Sequence, residues 1–427
     1  MSNIVKFPYG KEFLSYDFAD ENFLGTLTSS LHGYTPEFPG DELVRRAMAE
    51  PIGSPRLAEL AKGKKNIVLI ASDHTRPVPS KIIVPPMLRE IREGAPDAEI
   101  TILIATGCHR ETTREELVAK FGEEIVRNEK IVIHDATNEA ELVHIGTLPS
   151  GGALRINRLA AEADLLVAEG FIEPHFFAGY SGGRKSVLPG IAARESVLAN
   201  HCSEFVAHPR ARTGILEGNP IHADMLWAAG KAGLAYIVNV VLNEHKEAIY
   251  AVAGDTESAH LAGCAFLASY CRVAPRMADI VISTNGGYPL DQNIYQSVKG
   301  MTAAEATVRE GGVIIMLSKA NDGHGGESFY RQLAGEADIT KTMAQFLARG
   351  REETLPDQWQ SQILVRILAT AAVIYISDAP KDMIRAFHMI PADTIGEAME
   401  MAKSILKKDA PTVTAIPDGI AVMVADA

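Results

Sequence analysis

Two α/β domains with mainly parallel sheets, and an active site in the cleft between them, are the fold class this sequence predicts. Three observations carry the expectation. Short β-rich runs alternate with longer amphipathic stretches, the pattern of βαβ units. That alternation pauses near residue 270 and then restarts. Residues able to do chemistry follow directly on the predicted strands, where open parallel sheets bind their ligands. At 427 residues the chain is long enough for two cores.

NIVLIAS (66–72) reads as a buried parallel strand, because its apolar run is continuous rather than alternating. A helix is predicted across IIVPPMLREIREG, then a strand at EITILIATG (99–107) and a crossover helix over REELVAKFGEEIV. KIVIHDA (130–136) is the next strand, followed by a predicted helix at LRINRLAAEA and a strand at DLLVAEG (164–170). YIVNVVLN (236–243) and AIYAVAG (248–254) read as an edge hairpin. HLAGCAFLASYCRV (260–273) is apolar at helical spacing and bridges to the second unit. There the strands are DIVISTN (279–285), GGVIIMLSK (311–319) and AAVIYIS (371–377), with helices near 291–310 and around YRQLAGEA. IGEAMEMAKSILKK is a helix, and TVTAIP and IAVMVA are short strands. The expected division is 1–270, 271–390 and a terminal segment 391–427. The pattern leaves open whether that segment packs on the second domain or returns to the first.

A net charge of −13 argues against a general nucleic-acid binder, which would show a basic face. It does not argue against a small anionic ligand in a locally basic pocket. The four cysteines, Cys108, Cys202, Cys264 and Cys271, form no CxxC pair and are too few for a disulfide framework. MSNIVKFPYG has no apolar signal core, and no apolar run approaches the roughly 20 residues of a bilayer span. The expectation is a reduced, cytoplasmic protein with neither nucleic acid nor membrane as partner.

The first predicted strand is followed by Asp73, His74, Thr75 and Arg76, and the second by Cys108, His109 and Arg110. The strand DLLVAEG runs into GFIEPHFFAGYSGGRKSVLPG, which holds His175, Arg184 and Lys185. His201 falls at a predicted helix end. After the second domain's first strand, Gln296 and Lys299 are three apart and share a helix face. Each has an ordinary explanation: Asp73 an N-cap, a single histidine a structural group, Lys299 a solvated charge. Their common position at strand ends raises the joint case. His32, His134, His144, His245, His260 and His388 lack that position and read as structural or surface groups.

A Walker A loop needs Gly immediately before the Lys, five residues after its first Gly. In GYSGGRKS that position is Arg184, so the phosphate-loop reading fails, and no GxGxxG follows any strand. The glycines still allow close backbone approach, and Lys185 is available as a charge or a nucleophilic amine.

Taken together, DHTRPVP (73–79), GCHR (107–110), PHFFAGYSGGRKSVLPG (174–190), ANH (199–201), YQSVKG (295–300), DGHGGESFY (322–330) and Trp359 in DQWQ resemble the nickel-dependent lactate racemase family over nearly the whole chain. The resemblance implies a nickel pincer nucleotide, pyridinium-3,5-bisthiocarboxylic acid mononucleotide, joined to Lys185 through a thioamide. It implies His201 as the protein's nickel ligand and Asp73, His74, Thr75 and Arg76 lining the cofactor. His109 and His175 would be the paired acid/base residues. Gln296 and Lys299 would orient the substrate carboxylate, with Arg76 adding charge and Tyr295 and Trp359 close by. The implied partners are a 2-hydroxy acid, lactate or a larger relative, and transient cofactor synthesis and insertion proteins. A homo-oligomer is left open.

That chemistry suits the residues. A carboxylate is a poor sink for a C2 carbanion, so hydride removal with loss of the hydroxyl proton is the easier inversion. Two imidazoles, with ordinary pKa values of about 6.5, can exchange that proton from either enantiomer near neutral pH. Arg76 and Lys299 match a carboxylate, and a neutral imidazole is an acceptable nickel ligand. Two alternatives remain: a zinc hydrolase or lyase built on Cys108–His109 and His201–Cys202, and a carrier that stores the nucleotide without turnover. A strand would point adjacent Cys and His to opposite faces, which counts against the first. A carrier has no use for two bases.

Overall fold

The structure, a computed structural model, describes residues 3–19 and 21–425, so the outermost residues of the expected boundaries, 1–2 and 426–427, lie outside it. The chain forms two compact units. One comprises Leu31–His201 and His208–Tyr270; the other takes the chain up to Ser30, Cys202–Ala207 and everything from Cys271 onward. The expected first domain, 1–270, is therefore corrected at two places. The hairpin of β1 (Asn3–Tyr9) and β2 (Glu12–Phe18) and the strand β3 (Phe23–Thr26) belong with the C-terminal half. So does the short helix Ser203–Ala207.

The first unit is built on β4 (Asn66–Ser72), β5 (Glu99–Ala105), β6 (Lys130–Ile133), a small hairpin of β7 (Leu142–Thr147) and β8 (Ala153–Asn157), and β9 (Leu165–Phe171). It continues with the two-residue strands β10 (Pro174–His175) and β11 (Gly179–Tyr180), then β12 (Leu234–Leu242) and β13 (Ala248–Gly254). The main sheet runs β13-β12-β9-β4-β5-β6 and is parallel except for the β13 edge. Alternate residues of its core strands, Leu69, Ile102, Val167 and Val238, pack with Ile83, Met87 and Ile91 of the helix Ser80–Gly94. Two expected helices differ. LRIN is strand β8, leaving one helical turn at Arg158–Ala161, because residues 153–157 pair with β7. REELVAKFGEEIV breaks at Gly122, whose φ of 89° is outside helical space, into Arg114–Phe121 and Glu123–Asn128.

The second unit continues with β14 (Arg272–Val273), β15 (Ala278–Thr284), β16 (Val308–Leu317), β17 (Ala372–Ile376), β18 (Ile390–Ala392), β19 (Val413–Ile416) and β20 (Met423–Val424). Its sheet, β18-β17-β16-β15-β19-β3, is parallel throughout. Phe7, Tyr9 and Phe18 of the hairpin join Ile282, Ile315 and Ile374 in one core with the helix Ile395–Leu406. The described part of the terminal segment, 391–425, packs here rather than returning to the first unit: β19 lies between β15 and β3, and β20 pairs with β14.

Both sheets reverse their strand order at an inner strand, β4 in one and β15 in the other. In one, the order leaves β4 toward β5 and β6 and then resumes at β9 on its other side; in the other, it leaves β15 toward β18 and resumes at β19. Such switch points open a crevice at the strands' carboxyl ends. No described helix is long and apolar enough to cross a membrane.

Candidate active site

In the first unit, Asp73 directly follows β4 and is 1% exposed. One carboxylate oxygen accepts from the Thr75 amide at 3.2 Å and hydroxyl at 2.7 Å; the other accepts from His109 Nδ1 at 2.7 Å. An ionised carboxylate can only accept, so Nδ1 of His109 carries the proton and Nε2 keeps its lone pair. Burial alone would raise Asp73, but the His109 hydrogen bond and charge, with Thr75 and Arg76, outweigh it and hold the carboxyl below its usual range. The next helix begins only at Ser80, so Asp73 is not its N-cap. His74 turns to Thr112, 3.0 Å away, and Glu116 at 3.7 Å. Arg76 has an exposed side chain, while its carbonyl accepts from Lys120 Nζ at 3.1 Å.

The loop after β9 fixes its histidine differently. β10 and β11 pair His175 with Gly179, and the Ala178 amide donates to His175 Nδ1 at 3.2 Å. A backbone N–H can only donate, so the neutral ring carries its proton on Nε2. Nε2 lies 3.4 Å from Lys185 Nζ, in the turn Gly183–Ser186. Phe176 and Phe177 flank the His175 ring, centroids 5.1 and 4.5 Å away. The glycines serve close packing: a Cβ on Gly182 would stand 2.7 Å from the Phe171 carbonyl, and one on Gly183 2.8 Å from the His260 ring, both at positive φ. The Gly107 amide donates to the Gly190 carbonyl at 2.9 Å, tying the loop that carries His109 to the one that carries Lys185.

His201 caps the C-terminus of the helix Arg194–Asn200 and is 5% exposed. Its Nδ1 donates to the Val197 carbonyl at 3.0 Å, which leaves Nε2 unprotonated in the neutral ring. Burial, then the charge on Lys185, push its pKa down to about 3, so the ring is neutral throughout the ordinary pH range. Phe177, which touches His175, also meets His201 edge-on at 5.2 Å.

The zinc reading fails on a different ground from the one the sequence suggested. Cys108–His109 lies in a turn and His201–Cys202 at a helix end, so strand alternation is irrelevant. What is missing is a donor set: among the described residues, no three His, Cys, Asp or Glu gather to hold a metal by themselves.

The second unit holds Tyr295, Gln296 and Lys299 on the helix Ile294–Glu305, whose N-cap Asn293 accepts from the Gln296 amide at 3.0 Å. The DGHGGESFY segment is hydrogen-bonded to this helix start, since the Ile294 and Tyr295 amides donate to Gly323 and His324 carbonyls at 3.1 Å. Trp359 Nε1 donates to the Tyr295 hydroxyl at 3.2 Å. All four side chains are half-buried, and this helix follows β15, beside that sheet's switch point.

The sequence reading missed Arg184, His222 and His260 as a group. Arg184 lies buried between the two rings, 3.0 Å from His222 Nδ1 and from His260 Nε2. The two rings come from helices distant in sequence, and only the Arg-Lys pair beside four glycines was a local signal. Glu169 and Lys120 were also missed. Glu169 is raised by complete burial, and its Oε1 accepts from the Ser72 amide at 2.8 Å, just before Asp73.

The chain matches the family model of the lactate racemase N-terminal domain over residues 9–214 and that of the C-terminal domain over 273–424. A lactate racemase of Thermoanaerobacterium thermosaccharolyticum is 55% identical over 425 residues, 99% of each chain. One of Lactiplantibacillus plantarum is 54% identical over 421 residues, 98% of this chain and 99% of the relative. The solved lactate racemase apoprotein from T. thermosaccharolyticum superposes with a TM-score of 0.96 at 54% identity, covering 99% of this chain and 100% of that one. A Thermotoga maritima protein shares the fold alone, with a TM-score of 0.65 at 19% identity over 92% of this chain and 100% of that one.

Proposed function

The chain belongs to the lactate racemase family, and from that premise we propose that it interconverts the enantiomers of a 2-hydroxy acid, lactate first. The observation that carries the reading is the opposite proton placement on two imidazoles at one sheet edge. His109, with Nδ1–H given to Asp73, presents a basic Nε2. His175, with Nδ1 occupied by the Ala178 amide, presents an Nε2–H. One ring is ready to take the hydroxyl proton of the substrate and the other to return one, and reversal of roles serves the opposite enantiomer. Asp73 stabilises the imidazolium that His109 becomes on taking the proton. Arg76, Gln296 and Lys299 are assigned to the substrate carboxylate, with Tyr295 and Trp359 as the flanking aromatic pair.

The residues fit the nickel nucleotide that the resemblance implies. His201 offers a neutral, buried ring whose unprotonated nitrogen suits a soft divalent metal, its other nitrogen held by a carbonyl. Lys185 Nζ lies 3.4 Å from His175 Nε2, and its primary amine is the group that could bond covalently to the nucleotide. Asp73, His74, Thr75 and Arg76 belong to the same strand ends. When bound, the group supplies the electron-accepting centre that no amino-acid side chain provides. Intact-mass measurement of active protein should show an adduct that Lys185→Ala lacks; active protein of unmodified mass would reject the tether.

The deciding assay follows the conversion of each lactate enantiomer by cofactor-loaded protein, beside His109→Ala. Interconversion in both directions, lost in the variant, is expected. A loaded protein that binds the cofactor yet leaves both enantiomers unchanged would instead favour a storage role.

A further inference from the structure

The Ala178 amide decides which nitrogen of His175 carries the proton; the carbonyl of that same peptide, Phe177's, accepts from Asn219 Nδ2 at 2.8 Å, and the next carbonyl along, Ala178's own, is held by Arg184. Nη2 of Arg184 donates to the Ala178 carbonyl at 2.7 Å and Nη1 to the Gly182 carbonyl at 3.2 Å. Nε donates to His222 Nδ1 at 3.0 Å, and Nη1 lies 3.0 Å from His260 Nε2. The side chain is 1% exposed. Among the described residues no carboxylate forms an ion pair with it, whereas Arg366 takes Glu305 through two hydrogen bonds of 2.7 Å. A buried cation without a counter-charge is costly unless its donors are satisfied. Here they meet the Ala178 and Gly182 carbonyls and His222 Nδ1, while His260 Nε2 gives its own proton to the Ser181 carbonyl at 2.8 Å and only packs against the guanidinium. Both rings are kept neutral by burial and by the guanidinium itself, His222 at about 4 and His260 well below its usual value. Burial lowers Arg184 only to about 10, so it remains charged near neutrality.

A core-filling role does not require a charge at this place, and a methionine or leucine would fill the volume more cheaply. The planar fork does something those cannot: it grips two carbonyls of one short loop from inside, on either side of Gly179–Ser181. Lys185, the next residue, and His175 stand at the two ends of the stretch so gripped.

We propose that Arg184 is a positioning residue for His175 and Lys185, anchoring Ala178 by its carbonyl so that the amide on the other side of the same Cα stays aimed at His175 Nδ1 and the ring keeps its proton on Nε2, facing Lys185. The inference rests on the acid/base reading of His175 given above, but its test reads the ring directly. Full-length protein carrying ¹⁵N-histidine reports each ring's tautomer by NMR, and His175→Ala assigns the relevant pair of signals. In the unsubstituted protein His175 should show a single Nε2–H form at neutral pH. Folded Arg184→Met should show both tautomers in exchange, and after cofactor loading its kcat should fall about 10–100-fold while KM for lactate holds. Arg184→Lys keeps the charge without the fork and should fall between.

A folded Arg184→Met or Arg184→Lys with one unchanged His175 tautomer overturns the proposal, whatever its rate. Where Arg184→Met does not fold, Arg184→Lys decides. The two readings fail separately: full racemisation by His175→Ala would sink the acid/base role while leaving the tautomer result standing.

Discussion

The turn after β5 and the loop after β9 each immobilise one imidazole, and they do so by opposite means. At His109 the anchor is a buried carboxylate, and the ring is 42% exposed beyond it. At His175 the anchor is a backbone amide, backed by a buried guanidinium and walled by two phenylalanines. The difference teaches that the partner of Nδ1, rather than the residue type, sets what a histidine offers. An acceptor at Nδ1 makes a base of Nε2; a donor there makes Nε2 a proton source.

That contrast can be broken at several points. The largest effects belong to the rings: His109→Ala and His175→Ala should each cost on the order of 10²–10⁴ in kcat in both directions, since each removes one proton carrier. Steady-state rates from either enantiomer measure this, and a variant within a few-fold of the parent removes that ring from the mechanism. Asp73→Asn should cost a smaller but still large factor, on the order of 10² or more, because an amide no longer dictates the His109 tautomer. Its thermal midpoint should move little by comparison, and an unchanged kcat would make Asp73 a turn residue only.

Gly183→Ala sharpens the other side. Its φ of +54° and a Cβ 2.8 Å from the His260 ring should cost about 1–3 kcal/mol in denaturant unfolding. A neutral result would mean that the loop is not held against that helix.

The smallest effect is a pH slope. His222 is held down to about 4, chiefly by burial and then by Arg184, against an ordinary 6.5. Between those values the unfolded chain binds a proton that the folded chain refuses, so stability is complete above about pH 6.5 and falls as pH drops toward 4. Urea midpoints across that window should decline, and His222→Gln should flatten part of the decline. An identical slope in the variant would show that His222 is not the group titrating.

Most strands of the two sheets were legible because a parallel strand buried on both faces must be continuously apolar, but the short edge strands β3 and β18 were not. LRIN was read as helix because its few apolar residues fit either period, and only its pairing with LVHIGT settles it as strand. The placement of residues 1–30 was not legible at all: β3 pairs with β19 nearly the whole chain away, a long-range contact that no local window contains. Among the candidates, Asp73, His109, His175 and Lys185 stood out because each follows closely on a predicted strand, and His201 because it closes a predicted helix. Arg184's role was hidden because its ring partners, His222 and His260, arrive on separate helices.

Underlying these tests is the proposed division of labour, in which the imidazoles would exchange only the hydroxyl proton and the hydrogen on C2 would never meet a side-chain base. Lactate carrying deuterium at C2, turned over by loaded protein in ordinary water, tests it most directly. Both enantiomers should keep the deuterium after full racemisation; replacement by solvent hydrogen at the rate of racemisation would contradict the account.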